Sequence, residues 1–131
     1  MPQFSKLSES RLATCDPRLQ QLLREAIKHV DFTVLCGHRG EDEQEDAFRT
    51  GRSKVRYPNS KHNSLPSTAV DIAPYPIDWN DHRAFSRLFG YIERIAHEQG
   101  IQIRWGGDFD GNWRSNDSFV DLPHIELRSG Q

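Results

Sequence analysis

A single aspartate inside an apolar segment constrains the fold of this chain most. Residues Ala69-Val-Asp-Ile-Ala73 are β-prone, and the alternation of a strand places Asp71 on the face opposite Val70 and Ile72. A carboxylate is costly to bury in such a strand unless it is paired with another charge or bound to a metal. The segment therefore predicts a strand that carries a polar site on one of its two faces.

Length and charge limit the class of protein. The chain has 131 residues, so we expect residues 1–131 to form a single domain with one core. The net charge is −2 and basic residues are scattered among acids, which argues against nucleic acid or an anionic membrane as a partner. The apolar runs are too short to insert into a bilayer. The N-terminal segment lacks the apolar stretch of a secretory signal, so we expect the protein to be cytoplasmic as synthesised.

Helix and strand patterns interleave along the chain. Helices are predicted over 17–29, 41–50 and 81–99, with Asp16 and Asn80 as the N-caps of the first and the third. Strands are predicted over 32–36, 69–73, 101–105 and 124–127, with irregular segments over 51–67 and 106–118. The order lacks a regular βαβ rhythm. We therefore predict a compact α+β domain with a small, mainly antiparallel sheet flanked by helices.

Two minor features have ordinary interpretations. Cys15 and Cys36 are widely spaced and show no CxxC pattern, so two free buried thiols are favoured over a disulfide. The acidic segment 108–117 has the alternating oxygens of a calcium loop. It lacks the glycine and the terminal glutamate of an EF-hand, which favours a solvated loop.

Three side chains from separate segments are candidate metal ligands: His62, Asp71 and His124. Two imidazoles and one carboxylate leave a coordination position open, as in a catalytic zinc site. Asp121 lies three residues before His124, close enough to act on water at that position. A lone histidine in a loop is more often a surface residue, so the prediction depends on the whole set. The site is therefore expected on the sheet and its adjoining loops.

Several motifs together resemble the zinc peptidases that cut bacterial cell-wall peptides. The motifs are Ser60-Lys-His62, Ala69-Val-Asp71, Asp121-Leu-Pro-His124, Gly37-His-Arg39-Gly40 with Gln44, Gly51-Arg-Ser-Lys54 and Trp105-Gly-Gly-Asp108. The resemblance extends over about residues 31–127 and is greatest to the small phage or prophage endolysin branch. It implies a zinc cofactor, a peptidoglycan peptide substrate, a monomer, and action on the wall after release through a lesion made by a holin.

The same resemblance implies roles for seven residues. It makes His62, Asp71 and His124 the zinc ligands and Asp121 the general base. Arg39 would stabilise a carbonyl or carboxylate oxygen of the substrate. Ser60 and Gln44 would orient the substrate or support the site.

Two departures from the family pattern bear on the substrate. The segment between His62 and Asp71 is two residues longer than in the common form, so that loop must be remodelled. The base position holds Asp121, where the carboxypeptidase branch generally has glutamate. The shorter acid favours the endopeptidases that cut between L-alanine and D-glutamate.

Three alternatives remain open from the sequence. The same site would serve a D-alanyl-D-alanine carboxypeptidase, or a wall-binding domain in which zinc only holds the fold. Asp121 argues against the second, because a structural site needs no adjacent base. An iron oxygenase also uses two histidines and a carboxylate, but its usual first pair of ligands is more closely spaced than His62 and Asp71.

Overall fold

The structure, a computed structural model, describes residues 2–106 and 121–128. In chain order the elements are α1 (Lys6–Leu12), α2 (Pro17–Ala26), β1 (Phe32–Cys36), α3 (Glu41–Arg49), β2 (Ala69–Pro74), α4 (His82–Gln99), β3 (Ile103–Trp105) and β4 (His124–Leu127). The strands form one sheet in the order β1-β2-β4-β3, and each neighbouring pair is antiparallel. The predicted α+β fold is confirmed.

The helix boundaries follow from their caps. Helix α2 begins as predicted, with the Asp16 carboxylate accepting a hydrogen bond from the backbone N–H of Arg18 at 2.8 Å. It ends at Ala26 rather than at residue 29, because the chain continues to His29 in tighter i→i+3 turns. The N-cap of α4 is Asp81 and not the predicted Asn80, since the Asp81 carboxylate accepts from the N–H of Ala84.

Helix α1 was not predicted, and it covers an exposed edge of the sheet. Strand β1 lies at that edge, where the Val34 backbone would otherwise lack a partner on its outer side. Ser8 Oγ accepts from the Val34 N–H at 3.1 Å, and Arg11 donates to the Val34 carbonyl at 3.1 Å. The apolar periodicity of α1 is weak because this helix stabilises the edge partly through polar side chains.

One face of the sheet packs on the hydrophobic core. The core side chains of α2 and α4 include Leu19, Leu22, Leu23, Leu88, Ile92 and Ile95. From the sheet, Val70 and Ile72 of β2 and Ile125 and Leu127 of β4 join them. Asp71 alternates with the apolar residues of β2, as predicted, and therefore lies on the opposite face.

A register shift between β1 and β2 brings a cysteine beside that aspartate. Val34 pairs with Ile72 but Cys36 pairs with Asp71, so Leu35 is the extra residue of a bulge. Both cysteines are free thiols, as predicted, although Cys36 is only half-buried. Within the described ranges no helix is long and apolar enough to cross a bilayer. The predicted 106–118 loop, apart from Gly106, and its possible calcium ligands lie outside the described residues.

Candidate active site

Two imidazoles converge on one carboxylate oxygen at the polar face of the sheet. His62 Nε2 and His124 Nδ1 each lie 3.2 Å from Asp71 Oδ1, and the two rings are 5.2 Å apart between centroids. His62 comes from the loop before β2, whereas Asp71 and His124 are paired in the β2–β4 register. The three predicted ligands are therefore brought together by one loop and two neighbouring strands.

A second acceptor orients each imidazole from its far side. His62 Nδ1 lies 2.8 Å from the Gly37 carbonyl oxygen, and His124 Nε2 lies 2.8 Å from Glu126 Oε1. An acceptor at one ring nitrogen places a proton there, so the nitrogen that faces Asp71 is the one that would offer its lone pair to a metal. The site therefore presents Nε2 of His62 but Nδ1 of His124.

Each imidazole nitrogen lies at a ligand-to-ligand distance from the Asp71 carboxylate. Two atoms bound tetrahedrally to zinc at about 2.0–2.1 Å lie roughly 3.3 Å apart, close to the 3.2 Å between Asp71 Oδ1 and each imidazole nitrogen. Two groups in the described ranges have the geometry to hold a metal, Cys36–His62–Asp71 and Asp71–Asp121–His124, and they share Asp71. Among the described residues His62 and His124 fall in different groups, so the three predicted ligands are joined through Asp71 and do not form one such group.

Charge holds this cluster together. Burial disfavours the imidazolium form of His62, but the Asp71 carboxylate outweighs that effect and raises the pKa of His62 to about 10. Burial also raises the pKa of the Asp71 carboxyl, and the hydrogen bonds from His124 and His62 more than reverse this, so that its pKa lies well below the usual range. The Asp71 carboxylate is therefore ionised and attracts cations strongly.

Asp121 is held at the site by a close backbone contact with Gly106. The Asp121 N–H donates to the Gly106 carbonyl at 2.8 Å, and the Gly106 N–H donates to the His124 carbonyl at 2.7 Å. A Cβ at Gly106 would lie 1.9 Å from the Asp121 carbonyl oxygen, so the contact requires glycine. Burial, and after it the Asp71 charge, raises the pKa of the Asp121 carboxyl. Such a carboxylate is a better proton acceptor near neutral pH than an exposed one.

Arg39 faces the other oxygen of the central carboxylate. Its Nη2 lies 3.5 Å from Asp71 Oδ2, and its Nη1 donates to Gln44 Oε1 at 3.0 Å. Gln44 is fully buried and donates to Ser53 Oγ and the Val55 carbonyl. Gln44 therefore contacts the site through the Arg39 guanidinium.

The loop before β2 is organised by an asparagine. Asn63 Nδ2 donates to the Arg39 carbonyl at 3.0 Å and to Gln44 Oε1 at 3.2 Å. Its side-chain oxygen accepts from the Ser60 N–H, and Ser60 Oγ accepts from the His62 N–H at 3.2 Å. These bonds fix the turn that carries His62 and join it to Arg39 and Gln44.

A cavity of about 1020 Å³ opens above the cluster. Arg39, His62, Asp71, Asp121 and His124 lie in its wall, and so does Ser60. Further cations line it at Arg52, Lys54, Lys61 and Arg104. Acidic side chains line it as well, at Glu43, Asp46 and Glu126, so the wall is mixed in charge. A cavity of this size suits an extended ligand.

Comparison with known proteins identifies the family. The chain matches the phage L-alanyl-D-glutamate peptidase family over residues 1–128. It is a member of that family. It is 35% identical to the L-alanyl-D-glutamate peptidase of Escherichia phage T5, over 95% of this chain and 96% of the relative. The crystal structure of the Serratia marcescens L-Ala D-Glu endopeptidase ChiX matches with a TM-score of 0.75 and 29% identity, over 95% of this chain and 89% of that one.

These relatives confirm the predicted family and the predicted class of enzyme, a peptidase. The endopeptidase interpretation is favoured over the carboxypeptidase, wall-binding and oxygenase alternatives, because both relatives are named for the L-alanyl-D-glutamate specificity.

Two residues at the peptidase site were not among those predicted from the sequence. Cys36 Sγ lies 4.0 Å from His62 Nδ1. Its position at the site results from the bulge in β1, which no local sequence pattern predicts. Glu126 is buried beside His124. Alternation in the last strand did carry a signal for Glu126, since residues 124 and 126 share one face.

Proposed function

We propose that this peptidase is a zinc enzyme that hydrolyses the L-alanyl-D-glutamate bond of peptidoglycan stem peptides. The observation that carries the proposal is the convergence of His62 and His124 on Asp71, with Asp121 beside them at a cavity wall. Membership of the phage L-alanyl-D-glutamate peptidase family supports the substrate.

Three residues would hold the metal: His62, Asp71 and His124. Bound there, zinc supplies a Lewis acid and makes water acidic enough to be deprotonated near neutral pH. Cys36 is left outside the ligand set, because a catalytic zinc site takes three protein ligands and keeps its fourth position open.

Asp121 is the general base in this proposal. It accepts a proton from the attacking water and returns it to the amine of D-glutamate as the peptide bond breaks. Its raised pKa suits both steps, because the carboxyl must be deprotonated first and protonated afterwards. The backbone bonds to Gly106 keep its position constant through that cycle.

Arg39 binds negative charge that the substrate brings or develops. A guanidinium donates two parallel hydrogen bonds, so it serves either the carbonyl oxygen at the scissile bond or a glutamate carboxylate. Its bond to Gln44 restricts the side chain to the cavity wall. Ser60 supports the site by accepting from the His62 backbone N–H, and its place in the wall allows a contact with substrate.

The proposal extends to the setting of the enzyme. A monomer consisting of one catalytic domain over residues 1–131 would reach the wall after a partner such as a holin has opened the membrane. Light scattering of the purified protein tests the monomer, and cleavage of isolated walls without any partner tests the self-sufficient domain.

Mass spectrometry of digested peptidoglycan tests the activity. Purified sacculi are incubated with zinc-loaded protein, with chelated protein, and with the Asp121→Asn variant as a matched control. New D-glutamate amino termini, present only with the zinc-loaded protein, are the expected result. Release of free D-alanine instead would make the enzyme a carboxypeptidase. Intact peptides despite bound zinc would reject the proposed activity.

A further inference from the structure

We propose that Glu126 is a positioning residue that holds His124 with its Nδ1 towards the metal position. The inference rests on the metal site of the proposed function and concerns a residue outside the ligand set. Glu126 is only 5% exposed, and its Oε1 lies 2.8 Å from His124 Nε2. The two side chains leave β4 on the same face, two residues apart.

Both oxygens of Glu126 are engaged, so the carboxylate cannot turn away. Lys61 Nζ and Arg104 Nη2 each lie 2.9 Å from Oε2, the oxygen that does not face the imidazole. Arg104 is paired directly with Glu126 in the β3–β4 register, and Lys61 also donates to the Leu127 carbonyl at 3.2 Å. Two cations therefore compensate a buried charge and fix its orientation.

That orientation matters because an imidazole offers two different nitrogens. An acceptor at Nε2 places the proton there, which leaves the Nδ1 lone pair for a cation and makes it more basic. Without Glu126 the Nε2 proton of His124 loses this acceptor, and the ring is held less firmly with Nδ1 towards the metal position. Removal of the outer acceptor of a histidine ligand typically lowers the metal affinity of the site about 10- to 100-fold.

The two histidines differ in how their far sides are held. The far nitrogen of His62 faces the Gly37 backbone carbonyl, which no side-chain substitution removes. The far nitrogen of His124 faces a carboxylate. Glu126 is therefore a side chain through which the orientation of one proposed ligand can be altered without changing any ligand.

Zinc affinity of two Glu126 variants tests the proposal. Glu126→Leu removes the acceptor and keeps the bulk, whereas Glu126→Gln keeps an oxygen acceptor and loses the charge. We expect zinc to bind about 10- to 100-fold more weakly to Glu126→Leu in competition with a chromogenic chelator, and Glu126→Gln to lose less. Glu25→Leu is the matched control, because it removes a carboxylate that lies 2.9 Å from an imidazole nitrogen, His29 Nε2, away from the site, and it should bind zinc as the unchanged protein does.

A second readout separates positioning from folding. In the zinc-loaded protein labelled with ¹⁵N-histidine, the Nε2 proton of His124 should exchange slowly and resonate far downfield. It should move upfield in Glu126→Gln and exchange rapidly in Glu126→Leu. Circular dichroism of the metal-free variants reports their folding. If Glu126→Leu does not fold, the zinc affinity and the Nε2 proton signal of Glu126→Gln still test the positioning role.

Two results would overturn the inference. One is a folded Glu126→Leu variant with unchanged zinc affinity, and the other is zinc bound to Nε2 of His124. The proposed function can fail separately. If zinc binding by His124 depends on Glu126 but the zinc-loaded protein leaves peptidoglycan intact, the activity is rejected and the positioning role is retained.

Discussion

The two faces of the sheet are stabilised by different forces, although the same strands build both. In β4, Ile125 and Leu127 lie in the core, whereas His124 and Glu126 lie at the site. The core face gains free energy from apolar area removed from water, which depends little on direction. The site face depends on hydrogen bonds and charge pairs of defined geometry, so removal of one partner leaves another buried and unpaired.

This difference teaches where the sheet tolerates change. A core residue can be replaced by one of similar size with a modest effect on stability and none on chemistry. At the site face each group orients its neighbour, as Glu126 does for His124 and Gln44 does for Arg39. The apolar face thus supplies stability that a cluster of buried charges does not supply by itself.

The largest expected effect is on the site face. His124→Ala removes one of three proposed ligands, so both zinc binding and wall cleavage should fall below detection. Metal analysis of the purified variant beside the unchanged protein measures the first, and peptide release measures the second. Full zinc occupancy in this variant would remove His124 from the ligand set.

A smaller loss of activity should follow when only the proposed base is changed. Asp121→Asn keeps the size and the backbone bonds of the residue but not its proton affinity, so the cleavage rate should fall by about 10²- to 10⁴-fold. Zinc content and thermal stability should be unchanged. The initial rate on isolated stem peptides is the measurement, and a rate near that of the unchanged protein would exclude Asp121 as the base.

Protons should compete with zinc at the same face. The pKa of His62 is raised to about 10 and that of His124 is also raised, so near neutral pH the metal-free imidazoles carry protons that zinc must displace. Zinc affinity should therefore increase as the pH rises, by roughly one to two powers of ten between pH 6 and pH 7. Chelator competition at several pH values measures it, with the heat of binding in different buffers as a count of released protons. An affinity independent of pH would contradict the raised pKa values.

The smallest effect belongs to the core face. Ile125→Val shortens a buried side chain between His124 and Glu126, and it should lower the free energy of unfolding by about 0.5–1.5 kcal/mol. Zinc affinity and cleavage rate should not change, because the side chain points away from the site. Urea unfolding and chelator competition on one preparation give both quantities. A clear loss of zinc affinity would show that the two faces are coupled through β4.

Local patterns determined much of this protein. Strands Phe32–Cys36 and His124–Leu127 were predicted with the observed bounds, and so was the side of β2 on which Asp71 lies. Alternation and helical spacing depend on neighbouring residues, so one segment is enough to read them. The family resemblance was likewise carried by short motifs, and the family comparison confirms it.

Only the tertiary structure decided how distant residues meet. Cys36 reaches Asp71 through a bulge, and α1 stabilises the edge of β1 although its sequence has little apolar periodicity. The sharing of Glu126 between His124, Lys61 and Arg104 depends on the register of β3 and β4 and on the path of the loop before β2. Such contacts join residues far apart in the chain, and their geometry is set by strand register and packing rather than by the properties of any one segment.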